Sequence, residues 1–295
     1  MTELIIIGGG PAGVSAALYT ARAGIKTKII YKDTGALTHA ERIDNFYGNA
    51  GISGQALIAN GLAHAAEVGA EVILGEVIKI EHDFSDSNSA FLVETTVDSY
   101  TAQAVLLATG ANRQSPNISG FLAYEGKGIS HCAVCDAFFY REKNVAVLGH
   151  SQYALSEAKV LLPLVKSLYI LTDGMEPEAD FPSSVILRKE KISKIHGDSR
   201  LTGVEFESDD NILPIDGLFI ALGTAGATAL ARKLGALVEN NAVLTGKNMG
   251  TNIPGLWAAG DCTPGMKQIA KAVYEGAEAG MDIIKHLREV ANDKK

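Results

Sequence analysis

Two cysteines three residues apart, followed at once by an acid, are the part of this 295-residue chain best equipped for chemistry. They lie in "SHCAVCDAFFY" (130–140) as Cys132, Cys135 and Asp136. A C-x-x-C spacing at a helical turn puts both thiols on one side, where they can bridge. At a helix N-terminus the partial positive charge lowers thiol pKa and favours thiolate, the form that attacks. Zinc needs a second ligand pair. The third cysteine, Cys262, stands alone in "GDC", and there is no H-x-x-x-H partner. Inert core cysteines are the bland alternative, and a redox dithiol is the better reading. Asp136 is either a simple helix-start residue or a proton donor to a leaving thiolate.

The chain is long enough for two ordinary domains with separate cores. Hydrophobic residues make up 47% of it, which provides for that burial, and the net charge of −8 argues against nucleic-acid binding, which needs cations facing phosphates. The N-terminus has no basic start of secretory type, and no segment reaches the ~18 apolar residues of a membrane span. Three cysteines cannot make a disulfide framework. These features predict a soluble cytoplasmic protein, away from membranes, where thiols are mostly reduced or catalytic.

The elements that must position the pair are read from glycine-bearing strand ends. "ELIII" (3–7) is a buried parallel-type strand, "GGGPAG" follows, and "VSAALYTARAG" has helical spacing closed by Gly24. "KTKIIY" (26–31) is the next strand. This β-α-β unit carries G-x-G-x-x-G at Gly8, Gly10 and Gly13. The first glycine permits the tight turn, the second lets a pyrophosphate approach, and the third lets helix and strand pack closely. The acid expected about 20 positions on for a ribose hydroxyl is not at the strand end; Asp33 lies just beyond it.

A second copy begins at "NVAVLGHSQYALSEAKVLL" (144–162). Gly149 stands where Gly8 does, Ser151 where Gly10 does, and Ala154 where Gly13 does. Ser151 puts a Cβ and a hydroxyl where a pyrophosphate would approach. The strand "SLYILT" (167–172) then runs into "DGMEPEAD", whose charges are all acidic, with no Arg or Lys before Arg188. A 2′-phosphate would meet repulsion there, whereas Asp173 could accept from the ribose hydroxyl of NAD. The favoured reading is that this unit only holds its domain together.

"AVLLATG" (104–110) closes the first segment, "DGLFIALGT" (216–224) is its counterpart, and "IPGLWAAGDC" (253–262) returns late. Region 72–103 reads as an antiparallel ribbon and "NRQSPNISG" (112–120) as a linker. The expected fold is α/β, with two Rossmann-like, three-layer nucleotide-binding-type domains, the second inserted into the first. Residues 1–112 and 241–295 form the discontinuous domain, and 116–240 the inserted one.

The order "GGGPAG", "LLATGA", "CAVCD", a second β-α-β unit, "GLFIALG" and "GLWAAGDC" followed by "KQIAKAVYEG" resembles low-molecular-weight thioredoxin reductases across essentially the whole chain. The resemblance implies a homodimer with FAD in the discontinuous domain. It implies that Gly8, Gly10, Pro11, Ala12 and Gly13 hold the FAD pyrophosphate. Leu37, Thr38 and Asn45 would lie along the flavin, Val77 at the adenine, Thr109 and Gly110 beside the cofactor, and Asp261 on the ribityl chain. Lys267, Gln268 and Ile269 would start a helix whose N-terminus supports charge on the reduced flavin. Cys135 would touch the flavin, Cys132 would attack the disulfide of thioredoxin, and Asp136 would supply the proton.

The departures are as informative. NADPH-using members carry G-x-G-x-x-A and a basic stretch after the next strand, where this chain has "GHSQYA" and "LTDGME". It is most similar to the ferredoxin-dependent flavin thioredoxin reductases, which implies an iron–sulfur donor and hinges near 112–117 and 240. The basic run "RKEKISK" (188–194) is either a docking patch for an acidic ferredoxin or a solvated strand edge. The rivals are an NADH- or NADPH-fed reductase of the same fold, a flavin-dependent dithiol oxidase, and a non-catalytic redox module.

Overall fold

The computed structural model describes residues 2–83, 90–110, 116–131, 133–223 and 226–293. The chain forms two compact units, residues 1–112 with 226–295, and residues 113–225. β1 (Thr2–Ile7) is a β-branched run whose last four residues are buried. α1 (Pro11–Arg22) follows at once, with Pro11 in the first turn, where no N–H is needed. Gly24, at φ +83°, ends it. β2 (Thr27–Tyr31) lies parallel to β1. α2 (Gly54–Glu67) is capped by Ser53, whose Oγ accepts from Ala56 N at 3.2 Å.

β3 (Glu71–Leu74) adds parallel to β2. β4 (Val77–Asp83), β5 (Ala90–Thr95) and β6 (Ser99–Leu107) then form an antiparallel meander, and β6 also runs parallel to β1. The ribbon therefore starts at Val77 rather than at 72. "EVIL" is too short for its pattern to separate a central parallel strand from a ribbon strand, and pairing with β2 decides it.

The second unit opens with α3 (Phe121–Tyr124), β7 (Ile129–Ser130) and α4 (Ala133–Asp136), with a 3-10 turn at Ala137–Tyr140. Its β-α-β core is β8 (Asn144–Leu148), α5 (Gln152–Leu161) and β9 (Ser167–Leu171), flanked by β10 (Ile186–Arg188). β11 (Ile192–Gly197), β12 (Leu201–Phe206) and β13 (Asp209–Pro214) make an antiparallel three-stranded sheet before β14 (Gly217–Ile220). Among the described residues the main sheet is parallel, in the order β10-β9-β8-β14-β7. Its core joins Leu148, Leu171 and Leu218 to Phe121, Ile195 and Val204.

The chain returns to the first unit through α6 (Ala227–Lys233), the hairpin β15 (Val238–Glu239) and β16 (Ala242–Val243), β17 (Leu256–Ala258) beside β6, and α7 (Ile269–Asp293). The second crossing thus falls at 225/226, not at 240/241. Asn240 and Asn241 have φ of 47° and 57° and form the tight turn of the β15–β16 hairpin inside the first unit, so they are not a hinge.

α7 packs along α1 at backbone contact. A Cβ on Gly276 would stand 2.1 Å from Ala12 O, and Ser15 Oγ donates to Val273 O at 2.7 Å. Gly276→Val should therefore lower stability, because the clash of about 1–3 kcal/mol outweighs the few tenths of a kcal/mol by which valine exceeds glycine in helix propensity. Calorimetry of the variant against wild type reads this as a lower melting temperature, and an unchanged one would contradict the packing.

Candidate active site

The first strand–turn–helix corner is closed by backbone contact. Gly8, at φ +117°, donates its N–H to Ile30 O at 2.8 Å, and a Cβ there would lie 2.2 Å from Ala108 O. A Cβ on Gly13 would lie 2.0 Å from Gly8 O. Gly10 differs, because a Cβ added to it meets nothing within 4 Å. It caps a 12-residue helix that has no side-chain cap, leaving first-turn amides of α1 to serve an anion. Gly110, three residues past the end of β6, also opens onto nothing within 4 Å. Tight closure behind and open space in front fit a dinucleotide pyrophosphate laid on the helix.

The other cofactor candidates belong to the same unit. Asn45 Nδ2 donates to Gln268 Oε1 at 3.1 Å, so two residues far apart in sequence are brought together. Leu37 and Thr38 lie in a 3-10 turn at Gly35–His39, where the Thr38 hydroxyl bonds to that of Thr34. Val77 begins β4 and is buried. Thr109 Oγ1 accepts from Ala227 N at 2.8 Å and so fixes the start of α6. Asp33, exposed, accepts from Gly35 N at 2.7 Å.

Around Asp261 the turn is clamped by lysines. Lys267 Nζ reaches Asp261 O at 2.6 Å and Thr263 O at 2.8 Å. α7 itself begins only at Ile269, so Lys267 and Gln268 precede the helix, and Gln268 O accepts its first-turn bond from Ala272 N. Sequence reading missed the network beneath. Lys271 Nζ bonds Gly260 O and Thr263 Oγ1, each at 2.7 Å, and pairs with Glu275 at 3.0 Å. Glu275 Oε2 accepts from Gly260 N and Thr263 Oγ1. A charge on the buried small-residue stripe of a helix was the available signal.

The second corner repeats the closure of the first. Gly149 N donates to Leu171 O at 2.9 Å, and a Cβ there would lie 2.2 Å from Ala221 O. Its mouth is different. Ser151 is 3% exposed and its Oγ donates to Gly223 O at 3.0 Å, bridging the residues that match Gly10 and Gly110. The acidic loop is fastened to the same turn, with Glu178 N donating to His150 O at 2.8 Å. Asp173 Oδ1 accepts from Ile192 N at 2.8 Å, which commits that oxygen to the fold and not to a ribose.

In the redox segment, Cys132 lies outside the described residues, and Cys135 falls in α4. α4 is a single four-residue turn followed by a 3-10 turn, so the dipole expected to lower a thiol pKa is small. Asp136 Oδ2 accepts from Ser130 Oγ at 2.7 Å. It also lines a cleft of about 440 Å³ with Tyr140, Lys143 and Arg200. Burial raises the Tyr140 phenol above its usual value against the opposing guanidinium of Arg200, and Asp136 adds to the rise. Two phenyl rings in the 3-10 turn after Asp136, Phe138 at 71% and Phe139 at 67% exposure, face solvent. Sequence reading also passed over Glu157, a buried acid on α5 whose Oε2 accepts from Ala133 N at 2.8 Å.

The basic run at 188–194 is largely compensated. Arg188 pairs with Glu190, Lys189 with Glu176 and Lys191 with Glu207. Such exposed pairs form a solvated strand edge, not a strong cationic patch. Among the described residues, no group of three or more His, Cys, Asp or Glu could hold a metal ion, and no helix is long and apolar enough to cross a membrane.

With this geometry in place, comparison with known proteins gives the class. Residues 2–276 match the family model described as pyridine nucleotide-disulphide oxidoreductase. The chain is 30% identical to the thioredoxin reductase of Aquifex aeolicus, with 97% of this chain and 93% of that one covered. Its structure is similar to that of the atypical thioredoxin reductase TRi from Desulfovibrio vulgaris Hildenborough, at a TM-score of 0.88 and 36% identity, covering 98% and 99% of the two chains. A ferredoxin-flavin thioredoxin reductase from Clostridium acetobutylicum matches at 0.69 and 30%, covering 97% and 98%. The chain belongs to the pyridine nucleotide-disulphide oxidoreductases, among the low-molecular-weight thioredoxin reductase-like flavin disulfide oxidoreductases.

Cys262 lies in the first unit, in the turn after β17. Its thiol is buried, donates to Leu107 O and Ala259 O, and burial pushes its pKa up to about 12. At pH 8 only about one in 10⁴ of such thiols is ionised. Native protein treated with iodoacetamide at pH 8 should leave Cys262 unlabelled until it is unfolded, as read by peptide mass spectrometry. Gly10→Ala should leave the stability of the apoprotein within about 0.5 kcal/mol of wild type. Gly8→Ala, forced against Ala108 O, should lower it sharply. Denaturant unfolding separates the two.

Proposed function

We propose that this chain is a thioredoxin reductase fed by a ferredoxin-type one-electron donor in place of a pyridine nucleotide, with FAD in the first unit and Cys132–Cys135 as the exchange pair. The observation that carries the donor assignment is the Ser151 bridge to Gly223 O at 3.0 Å, which fills the phosphate position of the second corner. The fastening of the acidic loop to His150 supports it. So does the likeness to a ferredoxin-flavin thioredoxin reductase.

In this reading Gly8, Gly10, Pro11, Ala12, Gly13 and the open face of α1 hold the FAD pyrophosphate. Leu37, Thr38, Asn45, Val77, Thr109, Gly110, Asp261, Lys267, Gln268 and Ile269 line the remainder. When bound, FAD accepts electrons singly and passes them on as a pair, which is what links an iron–sulfur donor to a disulfide. Cys135 takes the flavin side and Cys132 the thioredoxin side, forming a mixed disulfide that Cys135 resolves. Asp136, held by Ser130 Oγ and open to the cleft, protonates the leaving thiolate. Phe138 and Phe139 offer thioredoxin an apolar surface beside the pair. The second unit carries the pair, in a homodimer of the family type; the hinge expected near 112–117 falls largely outside the described residues.

The energetics are sufficient. A plant-type ferredoxin near −400 mV and a thioredoxin near −270 mV differ by about 130 mV, roughly 6 kcal/mol for two electrons. Anaerobic stopped-flow decides the donor. Reduced ferredoxin should bleach the flavin band and sustain thioredoxin reduction, while NADPH and NADH leave the band unchanged. Rapid bleaching by either nucleotide would overturn the assignment.

A further inference from the structure

The four residues from Gly260 to Thr263, between β17 and α7, are tied down at every carbonyl. Gly260 O accepts from Lys271 Nζ at 2.7 Å, and Asp261 O and Thr263 O accept from Lys267 Nζ at 2.6 and 2.8 Å. Cys262 O accepts from Val243 N at 2.8 Å. The side chains of Cys262 and Thr263 are bonded as well, the first to Leu107 O and Ala259 O, the second to Gly260 O at 2.7 Å. Asp261 is the exception. It is partly exposed, and among the described residues its carboxylate has no hydrogen-bond or ion-pair partner. The turn stands against the first corner, since a Cβ on Gly260 would lie 2.9 Å from that of Ala12, the second residue of α1.

Two residues one turn apart on α7 hold this turn from beneath. Glu275 Oε2 accepts from Gly260 N at 2.8 Å and from Thr263 Oγ1 at 2.7 Å. Lys271 Nζ lies 3.0 Å from that carboxylate and also bonds Thr263 Oγ1 at 2.7 Å. The helix thus grips both the amide and the carbonyl of Gly260, whose φ of +86° sets the direction in which the chain leaves toward Asp261. We propose that Lys271 and Glu275 are positioning residues for FAD: they fix the Gly260 backbone, so that the unbonded carboxylate of Asp261 is held ready for the ribityl hydroxyls. A group already held in place loses little freedom on binding, which strengthens the contact it makes. This rests on the reading of the first unit as the FAD site, with Asp261 on the ribityl chain.

The pyrophosphate corner does not depend on this pair. It is closed by Gly8 against Ala108 O and by Gly13 against Gly8 O, contacts in which neither Lys271 nor Glu275 takes part. The pair therefore governs the flavin half of the cofactor and not the adenosine half. ADP has the pyrophosphate and the adenosine but no ribityl chain, so it separates the two.

The test is a paired titration of the full-length apoprotein, with FAD followed by flavin fluorescence and with ADP followed by calorimetry. Lys271→Met should weaken FAD about tenfold, as expected for the loss of one charge-assisted hydrogen bond. Its affinity for ADP should stay within about twofold of wild type. Removing one member of a nearly buried pair can unfold a chain. Lys271→Met with Glu275→Gln, which strands no charge, and Thr263→Val, which keeps the pair, should shift FAD affinity in the same direction. Asp261→Asn closes a double-mutant cycle. Alone it should weaken FAD about tenfold, and in the Lys271→Met background about twofold or less, because the lysine acts through the aspartate. Equal losses of FAD and ADP would mean a general loosening of the unit, and additive losses at 271 and 261 would mean independent actions. Either result overturns the proposal, as does FAD affinity unchanged in the variants. A wild type that takes up no FAD would defeat the functional reading and this proposal with it, whereas FAD binding indifferent to the variants defeats the proposal alone.

Discussion

The structure turns on two neighbouring parallel strands whose ends come so close that their backbones touch. In both units a glycine after the first strand sits where any Cβ would strike a carbonyl at 2.2 Å, Ala108 O in one and Ala221 O in the other. This shared constraint sets where each helix begins and what its N-terminus faces. The difference lies at one position. Gly10 leaves open space before its helix, and Ser151 spans the equivalent gap to Gly223 O. One corner has an open shape that fits a phosphate, and the other is spanned by a side-chain hydrogen bond.

The helix of the second corner also makes contacts beyond its own β-α-β core. α5 packs against α4 and meets the redox turn through Glu157, while Asp136 and Ser130 make a further bond within the turn. A segment with single-turn helices and two exposed phenyl rings has little core of its own, so its geometry must come from neighbours. In the first unit the same role falls to Lys271 and Glu275, a nearly buried pair that binds the backbone of Gly260 and the hydroxyl of Thr263. Each member satisfies the other and the surrounding polar groups, which is the condition under which buried charge is tolerated.

Much of this was legible in the residues. The β-branched runs at 3–7 and 144–148, each ending in glycine, mark the two corners. The loss of Gly10's counterpart at Ser151 marks the departure. What the sequence concealed were relations between distant segments. Asn240–Asn241 read as a boundary because a tight hairpin and a linker share the same polar residues, and only the pairing of β15 with β16 separates them. The bond between Asn45 and Gln268 joins segments that no local pattern connects. Glu157 and Glu275 were each visible as a charge on an apolar helical stripe. Among their partners are the backbone amides of Ala133 and Gly260, which carry no sequence signal.

The most direct test of the central contrast is equilibrium binding of NADPH and of NADH to the FAD-loaded protein by titration calorimetry. With Ser151 and Gly223 closing the second corner, neither nucleotide should give saturable heat at millimolar concentration. Saturable micromolar binding of either one would contradict the account.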